Sequence, residues 1–536
     1  MVTNKKTTLK EICMVPTTSF RNEDYVDFSK EENKELLRKT VEKVQKELGR
    51  TYPFIIGGKE FFEGELVESV NPANTKELIG RVHFATKEHA DQALDAAYKA
   101  FETWSKTPAE KRAQTLFKAA EISQKRKLEL SVWLVKECGK SIREAVADVA
   151  EGIDFMNYYA KRMIEIDNEK PVFSVPGENN SLHHVPLGVG LTIAPWNFPF
   201  AILCGMTVGA VVAGNCNIVK HASTTPVIAY IVHKIYEEAG FPKGVMNYLP
   251  GKGSVVGDYL VEHPKIRYIS FTGSSHVGKR IYEKMASFPA GQKWFKRCIV
   301  ETGGKNHAIV CEDADINKAA EGCLRGAFGY SGQKCSATAV ALVHEKIYDK
   351  FLSILKSKTE KLKIGEGTDP NNFTGPVIDP NAVQKIVEYL EQGKKDGQLV
   401  IGGQKMTKTY SDGYFIQPTI FSNVGENSKL LKEEIFGPVL VVNKFSDFND
   451  ALKKVNSTGY GLTGGVFTSS EKNKELARRK FHVGNLYFNR TSGATTGAIV
   501  GRQPFGGFNM SGTDSKAGGR NYLYLFLQEK SVCDMI

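Results

Sequence analysis

The 536-residue sequence predicts an α/β protein that contains two parallel β-sheets covered by helices. Short apolar runs alternate with helical segments over residues 187–284, and a second alternating stretch runs from about 298 to about 489. Strands that alternate with helices indicate βαβ units and therefore parallel sheets. The composition, with 41% hydrophobic and 24% charged residues, is that of a globular protein and excludes low-complexity and disordered classes.

The region before the first sheet is predicted to be mainly helical. Apolar residues recur at Leu37, Val41, Val44 and Leu48, which predicts one amphipathic helix. The run Thr107-Pro108-Ala109-Glu110 places a capping threonine, a first-turn proline and a glutamate at the third helical position. We expect further helices over 86–104, from 107 onward and over 141–165.

Residues 166–182 are predicted to form a protruding hairpin. After Glu165 the helical period is lost, and Pro171, Pro176 and Gly177 indicate turns between short extended pieces. Near the other end of the chain, the alternating run 525–532 predicts an edge strand.

The first α/β region contains a segment, 185–219, that lacks Asp, Glu, Lys and Arg. Its length would suffice for a membrane span, but three prolines interrupt it. Strands buried on both faces of a parallel sheet are nearly continuously apolar, so we favour a buried sheet element. The predicted strands of this region are 187–194, 217–220, 245–249 and 268–271, and its predicted helices are 200–213, 226–239, 254–263 and 274–284. The second region is predicted to contain helices at 317–326, 347–362, 381–392 and 448–455.

Charge and cysteine content narrow the class of protein. Lys plus Arg number 71 and Asp plus Glu number 60, a formal excess of +11 that permits an anionic ligand. The basic residues are scattered and accompany no nucleic-acid-binding motif, so we expect neither DNA nor RNA as a partner. Nine dispersed cysteines without a CxxC pair predict no metal site, and without a secretory signal they favour the reducing cytoplasm.

A glycine turn at Gly273-Ser274 follows a predicted strand and opens a predicted helix. In that position backbone N–H groups can hold a phosphate, although a turn that only packs the helix is an equal alternative. The segment nearly matches an NTP-binding P-loop, but Lys279 is followed by Arg280 where the magnesium-binding Ser or Thr is required. The sequence therefore does not favour an NTP-hydrolysing function.

Three other residues are suited to catalysis. Cys335 follows a turn of small residues and could be either a buried thiol or a nucleophile whose pKa is lowered by Lys334. Glu301 and Asn197 end predicted strands, at the sheet edge where open α/β sheets bind ligands. A solvated carboxylate and a turn-forming amide are the alternatives for these two.

Taken together, these segments resemble the aldehyde dehydrogenase superfamily in composition, order and spacing over nearly the whole chain. The resemblance rests on Pro195-Trp196-Asn197-Phe198-Pro199, Phe271-Thr272-Gly273-Ser274, Glu301-Thr302-Gly303-Gly304-Lys305, Gly332-Gln333-Lys334-Cys335 and Glu433-Glu434-Ile435-Phe436-Gly437-Pro438. It implies a Rossmann-like NAD-binding domain (1–165 and 183–298), a second, catalytic α/β domain (299–524) and oligomerisation elements (166–182 and 525–536). A homo-oligomer, a dimer or higher, is implied as well.

The same resemblance implies the roles of individual residues. Cys335 would be the nucleophile, Glu301 the general base, and Asn197 with the Cys335 backbone N–H the oxyanion hole. NAD would be bound by Trp196, Lys220, Ser223, Gly273, Ser274, Glu434 and Phe436.

The chain departs from the family pattern next to Lys220. The usual continuation is Pro, a small residue and a Glu that holds the ribose 2′-hydroxyl, whereas this chain has His221-Ala222-Ser223. The missing carboxylate removes repulsion toward a 2′-phosphate, so we predict NAD use with some tolerance of NADP. A preference for NAD beyond about a thousandfold, or about 4 kcal/mol, would refute that tolerance.

Three features resemble the branch of this family that oxidises L-glutamate γ-semialdehyde, the hydrolysed form of 1-pyrroline-5-carboxylate, in the second step of proline degradation. They are the run Phe20-Arg21-Asn22-Glu23, Ser336 directly after the candidate nucleophile, and the glycine-containing loop 511–519. Another semialdehyde or a broad-range aldehyde is the alternative substrate, and a reductase without a covalent step or a transport protein is an alternative class. By the resemblance, the substrate carboxylate would be bound by Ser336, Gly518 and Gly519, its aliphatic part by Phe198 and Phe526, and its ammonium by Glu144.

Overall fold

The computed structural model describes residues 20–407, 410–513 and 515–536. The first nineteen residues of the predicted segment 1–165, and Asp514 of the loop 511–519, lie outside the described residues. The described part of the chain forms two seven-stranded sheets, one three-stranded sheet and two two-stranded ribbons.

The N-terminal region combines the predicted helices with short strands that the sequence analysis missed. The predicted helices at 86–104 and 141–165 are confirmed, but Thr107 does not cap the helix that follows it, because its hydroxyl donates to the Thr103 carbonyl. Three of the missed strands are three residues long, too short to show a period. The elements are α1 (Glu31–Gln45), β1 (Arg50–Tyr52), β2 (Phe54–Ile56), β3 (Lys59–Phe61), β4 (Glu65–Asn71), β5 (Asn74–Phe84), α2 (Lys87–Trp104), α3 (Ala109–Lys125), α4 (Lys127–Cys138), α5 (Ile142–Asp167) and β6 (Glu178–Pro186).

The first large sheet contains five parallel strands extended at one side by the antiparallel pair β2 and β3. Its strand order is β11-β10-β7-β8-β9-β2-β3, and every strand predicted for this region is present. The elements are β7 (Val189–Ala194), α6 (Ala201–Val212), β8 (Cys216–His221), α7 (Pro226–Ala239), β9 (Met246–Tyr248), α8 (Asp258–Glu262), β10 (Tyr268–Thr272), α9 (Ser275–Met285) and β11 (Arg297–Glu301).

The second large sheet has the order β14-β15-β16-β13-β12-β18-β19 and is parallel except for β14. Alternate residues of its strands enter two separate hydrophobic clusters: Val340 and Leu342 belong to one, and Ala341 and Val343 to the other. Both faces are therefore buried, as expected for a parallel sheet. The elements are β12 (Asn306–Val310), α10 (Ile316–Phe328), β13 (Thr338–His344), α11 (Tyr348–Glu360), α12 (Pro380–Asp396), β14 (Gln398–Ile401), β15 (Thr419–Ser422), α13 (Lys429–Lys432), β16 (Val439–Phe445), α14 (Phe448–Val455), β17 (Tyr460–Gly461), β18 (Thr463–Phe467), α15 (Glu471–Lys480), β19 (Asn485–Phe488), β20 (Phe508–Asn509) and β21 (Leu527–Met535).

The predicted hairpin at 166–182 is wrong in its pairing. Strand β6 pairs along its whole length with the C-terminal strand β21, with Leu527 opposite Pro186 and Met535 opposite Glu178. A contact between such distant segments leaves no local pattern in the sequence. The predicted edge strand near 525–532 is confirmed and provides the partner of β6.

The segment without charged residues is buried in the first sheet. It forms β7, α6 and part of β8, and all residues of α6 except Ile202 are buried. The expectation of a buried sheet element is therefore confirmed. Among the described residues, no helix combines the length and the apolar character that a membrane crossing needs. The predicted domain limits stay a prediction, and β11 runs across the limit at 298.

Candidate active site

The candidate site lies between the carboxyl ends of strands in the first sheet and the amino ends of strands in the second. Asn197 follows β7, and Glu301 is the last residue of β11. Cys335 precedes β13, and Glu434 precedes β16. The structure thus brings together four residues that are far apart in sequence, around two cavities that meet at the thiol.

The backbone before Cys335 adopts an unusual turn. Tyr330 and Ser331 have φ of 51° and 52°, and Gly332 has φ of 69°. A β-carbon at Gly332 would lie 2.2 Å from the Gly437 carbonyl oxygen, so only glycine lets the two loops approach. The Ser331 N–H donates to Thr374 Oγ1 at 2.7 Å. Left-handed conformations in non-glycine residues persist where the surrounding structure holds them, often at functional sites.

The Cys335 thiol is half-buried and lines both cavities. Burial, together with the negative charges of Glu434 and Glu301, raises the pKa of this thiol to about 12. The sequence-based interpretation that Lys334 lowers this pKa is not supported, because the Lys334 ammonium is bound to Glu144 at 2.7 Å. At neutral pH the thiol is therefore protonated, and its proton must be removed before it can attack a carbonyl.

Glu301 is held in a fixed orientation by residues on both sides of β20. Its carboxylate accepts hydrogen bonds from the Ser515 hydroxyl at 2.6 Å and from the Gly507 N–H at 3.0 Å. Burial raises the pKa of Glu301 to about 7, and these hydrogen bonds oppose the rise. A carboxylate with this pKa is present in both protonation states near neutral pH, which suits a general base.

Asn197 lies in the loop between β7 and α6 and is buried. Its side-chain N–H donates to the Gln333 carbonyl at 3.0 Å, which connects this loop to the turn before Cys335. The side chain and the thiol line the same cavity, as an oxyanion-hole amide requires.

A buried ion pair contacts the loop between β7 and α6 that contains Asn197. The Lys140 ammonium lies 3.1 Å from the Asp148 carboxylate, and both side chains are fully buried. Asp148 also accepts a hydrogen bond from the Ala201 N–H at 2.7 Å, at the first turn of α6. The Lys140 ammonium lies 3.7 Å from the centre of the Phe198 ring. The pair therefore contacts this loop at Phe198, next to Asn197, and at its end at Ala201.

One of the two cavities has the residues expected of a dinucleotide cleft. Its volume is about 470 Å³, and Ser274 caps helix α9 with its hydroxyl, so the helix N-terminus faces the cleft and suits a pyrophosphate. Burial lowers the pKa of Lys220 to about 8. Six of the seven residues predicted to bind the cofactor line the cleft: Trp196, Lys220, Gly273, Ser274, Glu434 and Phe436.

The predicted role of Ser223 has no geometric support. The residue is exposed and lies outside the lining of the cleft, and its hydroxyl is 3.5 Å from the Gly251 carbonyl oxygen. Glu434 faces the other end of the cleft and accepts a hydrogen bond from the Gly304 N–H at 3.1 Å. Among the described lining residues, no carboxylate follows Lys220 in the strand-end segment, so the predicted tolerance of NADP stays a prediction.

The second cavity opens on the opposite side of Cys335 and Glu301. Its narrow part measures about 100 Å³, and it continues into an outer part of about 910 Å³. Four residues line both parts: Glu151, Phe198, Ser336 and Ala498. Phe505 closes the narrow part together with Phe198.

The structure corrects three of the predicted substrate residues. Phe526 is fully buried and packs at 5.4 Å against the rings of Tyr268 and Tyr522, so it belongs to the core. The Gly518 N–H already donates to the Tyr159 hydroxyl at 2.8 Å, and the Gly519 N–H to the Lys516 carbonyl at 2.9 Å. These N–H groups are engaged within the protein and do not line the cavity beside Cys335.

Glu144, the residue predicted to lie near the substrate ammonium, lines the outer cavity, but its charge is already balanced. It forms the ion pair with Lys334, which lowers the pKa of Glu144 despite burial. Glu151, two helical turns further along α5, has no hydrogen-bond partner among the described residues. Burial and the charges of Asp148 and Asp154 raise its pKa to about 8.

Sequence reasoning missed several lining residues, among them Glu151, Gly497, Ala498 and Phe505. The seven-residue spacing from Glu144 to Glu151, which places both on one helix face, is the signal that could have identified Glu151. Phe505 is followed by Gly506 and Gly507, and paired glycines of this kind drew attention to Glu301. The loop containing Ala498 carries no comparable signal.

Comparisons with known proteins agree with this geometry. Residues 61–532 match the aldehyde dehydrogenase family. A 1-pyrroline-5-carboxylate dehydrogenase of Geobacillus thermodenitrificans is 52% identical over 516 residues, which is 96% of this chain and 99% of that protein.

Two solved structures are also similar. A Thermus 1-pyrroline-5-carboxylate dehydrogenase with bound NAD superimposes with a TM-score of 0.94 at 47% identity, over 97% of this chain and 100% of that one. A betaine aldehyde dehydrogenase of Staphylococcus aureus with NAD⁺ gives 0.86 at 29% identity, over 93% of this chain and 97% of that one. The chain with the thiol, the carboxylate and the dinucleotide cleft described above belongs to the aldehyde dehydrogenase family.

Proposed function

We propose that this chain oxidises L-glutamate γ-semialdehyde to L-glutamate with NAD, the second step of proline degradation. The observation that carries the proposal is the second cavity, in which groups suited to every part of this substrate surround the thiol. The names of the relatives in Geobacillus and Thermus support the same substrate.

The proposed binding mode follows from the free groups of this cavity. Ser336 offers a hydroxyl, and the Gly497 and Ala498 backbone N–H groups have no partner among the described residues. Together they are suited to hold the substrate carboxylate. Phe198 and Phe505 are the walls proposed for the aliphatic chain, and the unpaired carboxyl of Glu151 is the group proposed to face the ammonium.

In the proposed reaction, Glu301 takes the proton of the Cys335 thiol and passes it to solvent. The thiolate attacks the aldehyde carbon, and the Asn197 amide with the Cys335 N–H stabilises the oxyanion. Bound NAD supplies the acceptor for the hydride that leaves this carbon. The product of that step is a thioester on Cys335. Glu301 then takes a proton from water, whose oxygen attacks the thioester carbonyl, and the carbon–sulfur bond breaks to release glutamate and the thiolate.

The experiment that tests the proposal follows NADH formation by the purified chain with 1-pyrroline-5-carboxylate, together with glutamate as product. Ser336→Ala is expected to raise KM for the semialdehyde about tenfold, because a hydrogen bond to a carboxylate is lost, and to leave propanal oxidation unchanged. Ser457→Ala, on the surface of the second region, is the matched control. Equal effects on both aldehydes, or faster turnover of succinic semialdehyde by the unaltered chain, would contradict the proposal.

We further propose that the chain acts as a homo-oligomer, a dimer or higher, in the cytoplasm. Eight of the nine residues of β21 are exposed in the ribbon that β21 forms with β6, which supports an interface there. The eight described cysteines are free thiols, which suits a reducing compartment.

A further inference from the structure

The first described residues of the chain lie against the substrate cavity. Residues 20–25 line its outer part, together with Phe198, Ser336 and Ala498. This segment is far from the catalytic residues in sequence, and the proposed reaction assigns it no role. Its contacts show which part of the cavity it can affect.

A single side chain connects this segment to two sides of the cavity. The Asn22 amide donates one hydrogen bond to the Asp154 carboxylate at 2.9 Å and another to the Val500 carbonyl at 3.0 Å. The other oxygen of Asp154 accepts the Glu23 N–H at 2.7 Å. Asp154 lies on α5, one turn after Glu151, and Val500 lies two residues after Ala498. Asn22 therefore links helix α5 to the loop 497–501.

Aromatic packing holds the same loop from outside. The ring of Phe20 packs edge-on against Tyr158 at 5.1 Å. Gly501 has φ of 75°, and a β-carbon there would lie 3.1 Å from both rings. The turn at the end of the loop is thus in contact with the N-terminal segment.

The segment 20–25 is itself held in place by hydrogen bonds to two helices. The Glu23 carboxylate accepts hydrogen bonds from Lys127 at 2.6 Å and from Gln124 at 2.8 Å. These residues belong to the helices α3 and α4, away from the loop. The support therefore does not depend on the loop that it holds.

The loop needs such a support because of the groups that it presents. The Gly497 and Ala498 N–H groups face no partner among the described residues; the backbone hydrogen bonds of the loop are made further along, by Ile499 with Gln503 and by the Gly501 N–H with the Gly518 carbonyl. Arg490 holds the preceding residue through the Thr496 carbonyl at 2.8 Å, and Asn22 holds the following side through Val500. Donors that are held in place before the substrate arrives bind it more tightly than donors that must be ordered.

We propose that Asn22 is a positioning residue for substrate specificity: it fixes the loop 497–501 so that the Gly497 and Ala498 N–H groups receive the carboxylate of the semialdehyde. The N-terminal segment is then part of the substrate site. This inference rests on the proposed function, because it requires an aldehyde that carries a carboxylate.

The test compares Asn22→Ala with the unaltered full chain, with glutamate semialdehyde and propanal as substrates. We expect KM for the semialdehyde to rise about tenfold, kcat to change less than about threefold, and propanal oxidation to stay unchanged. Asn33→Ala is the matched control, because the Asn33 amide donates to the Asp27 carbonyl in the same N-terminal region. This control is expected to leave both substrates unaffected.

Asp154→Asn provides a second route if Asn22→Ala folds poorly. It keeps the shape of the side chain but leaves only one acceptor for the two donors of the segment, so the same rise in KM is expected. Equal losses with both aldehydes in either folded variant would show a merely structural role and overturn the inference, as would an unchanged KM. A failure of the unaltered chain to oxidise glutamate semialdehyde would instead overturn the proposed function.

Discussion

The two cavities that meet at Cys335 differ in how they are built. The dinucleotide cleft is lined by short runs at strand ends, such as Pro195-Trp196-Asn197 and Gly273-Ser274. The second cavity is lined by single residues from segments that are far apart, including Glu151 on α5, Phe505 and the N-terminal residues 20–25. The residues correctly predicted for the cleft thus belong to local patterns, whereas most residues of the second cavity belong to none.

The difference explains which predictions agree with the geometry. Six of seven residues assigned to the cleft line it, but Phe526, Gly518 and Gly519 do not line the second cavity. A phosphate site at a helix N-terminus needs a strand, a turn and a helix in immediate succession, so its position follows from the local sequence. An aromatic wall needs only a ring at the right place. The sequence has several phenylalanines near its C-terminus, and no local pattern tells which of them lines the cavity.

The largest expected effect comes from Cys335, which lines both cavities. Cys335→Ala removes the sulfur that forms the covalent adduct, and we expect the oxidation of both glutamate semialdehyde and propanal to fall by about a thousandfold or more. NADH formation measures this loss. Because the cleft keeps its other lining residues, NAD binding, followed by titration of protein fluorescence, is expected to persist. Retained turnover in this variant would overturn the assignment of the nucleophile.

The second prediction distinguishes Phe505, which lines the second cavity, from Phe526, which belongs to the hydrophobic core. Phe505→Ala removes an aromatic wall, and KM for glutamate semialdehyde is expected to rise at least about tenfold, given about 1.5–3 kcal/mol for a buried phenylalanine. Phe526→Ala is the matched comparison and is expected to lower the free energy of unfolding by about 3–5 kcal/mol, because Phe526 is fully buried. Thermal unfolding and KM are measured for both variants. A specific rise in KM for Phe526→Ala alone would restore the original assignment.

The smallest expected effect is a shift in pH dependence that is the same for both aldehydes. The pKa of Glu301 is about 7, and the Ser515 hydroxyl lowers it by a hydrogen bond to the charged form. Ser515→Ala should therefore raise this pKa, so the rate of thioester hydrolysis should reach its half-maximal value about one pH unit higher. Single-turnover experiments across pH measure this midpoint. A downward shift, or a shift with only one aldehyde, would contradict a shared base.

Secondary structure shows the same division between local and distant information. The helix at 448–455 begins and ends where the sequence predicts it, because its apolar residues repeat with the helical period. The hairpin predicted at 166–182 is wrong, because the partner of β6 is the strand Leu527–Met535 at the other end of the chain. The strands β1 to β3 were missed, because three residues are too few to show a period.

The sequence by itself determined the fold class, the family resemblance and the candidate catalytic residues Cys335, Glu301 and Asn197, because these depend on short patterns in which neighbouring residues act together. Only the tertiary structure decided that Lys334 neutralises Glu144, that Glu151 remains unpaired and that Asn22 reaches both Asp154 and Val500. Ion pairs and hydrogen bonds of this kind join residues that are more than a hundred positions apart. Their partners are set by packing, and a local pattern therefore cannot contain them.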